Sequence, residues 1–90
     1  EVIMTRHYFC SLWKSILFKQ ANFNRYYNDF LVDKIAAATH LQSCRICDKL
    51  IAYILPEGAE MPDLASLTSE KLYSTIKRLR YLARQKNQAL

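Results

Sequence analysis

Large apolar side chains recur early in the chain at steps of three, four or seven: Phe9, Leu12, Ile16, Phe23, Tyr26 and Phe30. That is helical spacing. Trp13, Leu17, Tyr27 and Leu31 widen the stripe, so residues 5–38 read as one long helix or two joined helices. The likeliest break is QANFN at 20–24, because Asn is a poor helix former. The stripe is too wide and aromatic for a solvated surface. It predicts packing against a second copy through Phe9, Leu12, Trp13, Ile16, Phe23, Tyr27 and Phe30, hence a homodimer.

Further on, AAATHLQS at 36–43 lacks large apolar residues and suggests a joint. Residues 43–55 then read as a helix with Ile46, Cys47, Leu50, Ile51 and Ile54 inside, stopped by Pro56. Residues 56–62 hold the only glycine and both prolines and form the clear loop. Asp63 can cap a short helical turn, and Thr68 or Ser69 can cap a final helix with Glu70 in its first turn. In that helix Leu72, Ile76, Leu79 and Ala83 share one side, opposite Ser74, Lys77, Arg78, Tyr81, Arg84 and Gln85. No stretch alternates as a strand would. The fold class is all-α: one small domain over residues 1–90, with packing or dimerisation helices over 5–40 and a helix-turn-helix-like region over 43–90.

Charge sharpens this picture. The net charge is +5. Residues 1–68 hold seven basic and seven acidic side chains, so the whole excess lies beyond them, in Lys71, Lys77, Arg78, Arg80, Arg84 and Lys86 against Glu70 alone. A helix that is merely soluble interleaves both signs. One that touches a polyanion does not. Lys and Arg contact phosphates, while Tyr, Ser and Gln can bond phosphates or base edges. The bland reading is that late basic residues complement the helix dipole.

The segment DLASLTSEKLYSTIKRL at 63–79 resembles the helix-turn-helix of the cyclic-AMP receptor protein/FNR family of bacterial transcription regulators. That motif reads Leu-Ala, a turn, then Glu-Thr-Val-Ser-Arg-x-Leu-Lys-x-Leu, and Leu64-Ala65 and the run from Glu70 to Leu79 occupy those places. Upstream, Arg45, Ile46, Leu50 and Ile51 match the helix that enters the family's DNA-binding domain, and residues 5–38 would be its dimerisation helix. The family's two base-reading arginines fall at Ser69 and Ser74, its glutamate is kept as Glu70, and its β-wing and ligand-sensing barrel have no counterpart in the sequence. The resemblance implies a DNA-binding transcriptional regulator, or a fragment of one. The contacts to duplex DNA would come from Ser69, Glu70, Lys71, Ser74, Lys77, Arg78, Tyr81, Arg84 and Gln85. The alternative is a helical protein-interaction module, a regulatory adaptor or secretion-type chaperone, with a solvated basic tail.

Other chemistry has weaker signals. His7-x2-Cys10 and Cys44-x2-Cys47 could offer one His and three Cys to zinc; alternatively His40, Cys44 and Cys47 share one helical face. Zinc knuckles usually need glycine around a CxxC, and none is nearby, so the expectation is no metal or other cofactor, with Cys47 acting as a small hydrophobe and His40 as a joint residue. No catalytic pairing or phosphate loop is signalled, so no enzyme is expected. No apolar run reaches the roughly 18 residues of a membrane span. Three cysteines without a recognisable signal peptide suit a reducing, cytoplasmic setting.

Overall fold

A computed structural model describes the backbone of residues 2–89 and the side chains of residues 8–87. The described residues form five α-helices: α1 (Val2–Phe18), α2 (Phe23–Val32), α3 (Lys34–Ser43), α4 (Arg45–Ile54) and α5 (Ser69–Ala89). A single 3-10 turn, Leu64–Ser66, precedes α5, and no strand occurs among the described residues. The all-α class is therefore as the periodicity implies.

The first break falls where the Asn-rich stretch puts it. Residues 19–22 leave the helix, and Asn22 turns the chain in the left-handed region at φ 64°. The second break does not. Residues 36–43 are helical, and the joint lies at Asp33, whose carboxylate accepts the Ala36 N–H at 3.2 Å and so caps α3. The lack of large apolar residues there misleads. Alanine is the best helix former, and its small side chain lets α3 approach closely. Ala37 and Ala38 are buried, and the Trp13 indole N–H donates to the Ala37 carbonyl at 2.9 Å.

The aromatic stripe is buried inside one chain. Phe9, Leu12, Trp13, Ile16, Leu17, Tyr27 and Phe30 join Ile51, Ile54, Leu64, Leu72, Ile76, Leu79 and Ala83 in one core. Trp13 meets Phe30 edge-on at 5.3 Å between ring centroids. This corrects the interface assignment: apart from half-buried Phe23, the residues expected at a dimer interface are buried within one chain. Two further assignments change. Leu31 is 42 % exposed rather than part of the stripe, and Ile46 is 63 % exposed because α4 turns Cys47, Ile51 and Ile54 inward instead.

The inner face of α5 is as expected, with Leu72, Ile76, Leu79 and Ala83 buried against α1 and α4. Its N-cap is Thr68, whose Oγ1 accepts the Lys71 N–H at 3.4 Å. The preceding element is one 3-10 turn packed on α3 through buried Leu64, where the family resemblance calls for a full helix. Asp63 does not cap that turn with its side chain; its carbonyl accepts from Ser66 instead.

Candidate functional site

Four side chains that sequence spacing left apart converge in the interior. Cys10 comes from α1, His40 from the last turn of α3, Cys44 from the α3–α4 joint and Cys47 from the first turn of α4. Their potential ligand atoms all lie within 4.8 Å of one another. The Cys10 sulfur is 3.3 Å from His40 Nε2 and 3.6 Å from the Cys44 sulfur. His40, Cys44 and Cys47 are buried, and Cys10 is half-buried. No other group of three or more His, Cys, Asp or Glu with metal-binding geometry occurs among the described residues.

Local backbone explains the arrangement. Cys44 is the N-cap of α4 in an extended conformation (φ −105°, ψ 110°), while its own N–H bonds to the His40 carbonyl at 2.8 Å and closes α3. One residue thus ends one helix and starts the next. The Cys44 thiol is held below its usual range, chiefly by the nearby Cys47 backbone N–H, although burial opposes the shift, and its side chain makes no capping bond to α4. Burial pushes the Cys10 and Cys47 thiols up. This Cys-x2-Cys spans the start of α4 with Cys44 in an extended conformation, so it needs no left-handed residue. His40 supplies the nitrogen of this group, and the His7 side chain lies outside the described residues.

A second feature is the outer face of α5. Ser69, Glu70, Lys71, Ser74, Lys77, Arg78, Tyr81, Arg84 and Gln85 are all exposed. Lys77 extends over the rings of Tyr73 and Phe23, at 5.3 and 5.5 Å to their centroids. Lys86 lies over Tyr53 at 5.5 Å.

Arg80 departs from that face, and periodicity missed it. It is 6 % exposed. Its guanidinium donates to the Ile16 carbonyl and, at 3.0 Å, to the Lys19 carbonyl, and stacks on Phe23 at 4.4 Å. These carbonyls end α1, where a helix has acceptors without intrahelical donors and a partial negative charge. Burial, with Arg84 nearby, holds the Arg80 pKa below its ordinary value. Arg80 is thus a structural cation, and the free charge of α5 comes from its neighbours. No helix among the described residues is long and apolar enough to cross a membrane. No family model matches the chain, and no curated protein or solved structure matches it either.

Proposed function

We propose that this domain is a non-catalytic module that docks the outer face of α5 on duplex DNA, as a transcriptional regulator or part of one. The observation that carries the reading is the exposed series Lys71, Lys77, Arg78 and Arg84, interspersed with Ser74, Tyr81 and Gln85 and with no acid beyond Glu70. From Lys71 to Arg84 the helix rises roughly 20 Å, enough to follow a phosphate backbone with several cations. Serine at 69 and 74, where the resembling family carries base-reading arginines, favours phosphate contact over base reading. One copy of the chain suffices, because the aromatic stripe is part of its own core.

The test is binding to mixed-sequence duplex at several salt concentrations. Each neutralised phosphate releases counterion, so four contacts give a slope of log affinity against log salt of about −3.6. Arg78→Ala should weaken every duplex about equally and flatten the slope by about 0.9. Absence of duplex binding at low salt refutes the reading.

One observation favours the alternative, a protein-interaction module. Leu31, Val32 and Ile35 at the α2–α3 joint are 42, 85 and 66 % exposed, a run of large apolar side chains beside Asp33. Isolated exposed apolar residues are ordinary, and a run of them is a more usual mark of contact with another protein. Duplex binding that is unchanged in Val32→Ser and Ile35→Ser but weakened in Arg78→Ala assigns the work to α5.

A further inference from the structure

We propose that Cys10, His40, Cys44 and Cys47 are the four ligands of a closed structural zinc site that ties α1 to the α3–α4 joint. The reading is independent of what α5 binds.

Geometry carries it. Around one zinc, ligand sulfurs at about 2.3 Å and a nitrogen at about 2.0–2.1 Å in a tetrahedron stand roughly 3.8 Å apart for S···S and roughly 3.6 Å for S···N. The Cys10–Cys44 and Cys10–His40 separations are 3.6 and 3.3 Å, and no pair of ligand atoms exceeds 4.8 Å. Closing the remaining gap needs side-chain adjustments of about 1 Å, with the helices left in place. Cysteines that merely filled core volume would disperse among apolar neighbours. Here all three converge on the same point as buried His40, from three helices and across 30 or more residues of chain.

The donor set selects the metal. Three thiolates and an imidazole suit zinc and exclude hard cations such as magnesium or calcium, which want oxygen. A cluster of several irons would hold its protein ligands around a wider periphery than this one. Four protein donors leave no open position for water or substrate, so the site is structural rather than catalytic. The first and last ligands are 37 residues apart in the chain. A way in exists: a cleft of about 640 Å³, lined by Cys10, Ser11, Lys14, Ser15, Phe18, Lys19 and Leu50, opens beside Cys10.

The competing chemistry is a Cys10–Cys44 disulfide. It would form one S–S bond from two thiols with loss of two electrons to an oxidant, and would leave His40 and Cys47 without a role in common.

The experiment is cobalt titration of the reduced, metal-free chain. The expected result is uptake saturating at one ion per chain, with the visible bands of tetrahedral cobalt and a near-ultraviolet thiolate-to-cobalt band, all bleached by zinc. Cys47→Ser should weaken uptake by at least about 100-fold. Because that variant can also fail to fold, His40→Cys is the second arm. It should keep the tetrahedral bands and strengthen the thiolate band through a fourth sulfur. The proposal is overturned by no saturable uptake in the wild type, by undiminished uptake in Cys47→Ser, or by loss of all bands in a folded His40→Cys.

Discussion

Removing the buried cation that closes α1 should be among the most damaging single changes outside the apolar core. Arg80 sits with its stem in the interior and its guanidinium on the Ile16 and Lys19 carbonyls, over the Phe23 ring. Arg80→Met keeps the stem and removes the donors. The Ile16 residue is fully buried, so its carbonyl then faces no water, a cost of about 1–3 kcal/mol. The Lys19 carbonyl belongs to an exposed residue and recovers a water, so its bond counts for less, about 0.5–1 kcal/mol. Loss of the cation over Phe23 adds about 0.5–1 kcal/mol. Against these stands the relief of not burying a charge, which offsets a large fraction of the gain. The expected net loss for Arg80→Met is about 2 kcal/mol, and about 3 for Arg80→Ala, which also empties the space of the stem. Arg80→Lys keeps charge but not the forked geometry, and should cost about 1 kcal/mol. Urea titration followed by circular dichroism measures all three. With a slope near 1 kcal/mol per molar for a domain of this size, Arg80→Met should unfold about 2 M earlier. If Arg80→Met and wild type unfold within about 0.5 M of each other, the guanidinium does not close α1 and the assignment is wrong.

Two further outcomes test the fold. Asn22 occupies the left-handed region at φ 64°, so Asn22→Ala should destabilise by about 1 kcal/mol while Asn22→Gly stays within about 0.5, again by urea titration. Trp13 is the sole tryptophan and has no exposed surface, so its emission should be blue-shifted and shielded from iodide until global unfolding; Trp13→Phe should cost about 1–3 kcal/mol through the lost bond to Ala37 and the lost volume.

The helical class, the first break and the inner face of α5 were legible because each rests on local periodicity and propensity. The α3 helix was not, because residues 36–43 lack the large side chains that periodicity counts, and their alanines serve as a close-packing surface instead. The same lack of large side chains hid the Cys/His cluster. His40, Cys44 and Cys47 share a face at i, i+4 and i+7 only if residues 36–43 are helical. Cys10 reaches them from 30 or more positions away, a contact no local pattern encodes. Arg80 escaped for a related reason. It follows Leu79 and flanks the apolar stripe, and a count of hydrophobic positions passes over a charged residue that buries its stem.

The two attachments of α1 set the order of local stability along the chain. Segments with few partners open first, and those held by several elements open last. Here the segment of residues 11–15 lies between Cys10, gathered with α3 and α4, and the carbonyls of Ile16 and Lys19, gripped by α5. Opening it alone would break contacts to three other helices at once. Its amide protons should therefore exchange with solvent only when the whole domain opens, at rates that report the global stability. Amides of α2, which follows α1 through residues 19–22 and ends in the exposed Leu31 and Val32, should exchange through smaller openings. The first helix in sequence would then be part of the last structure to melt.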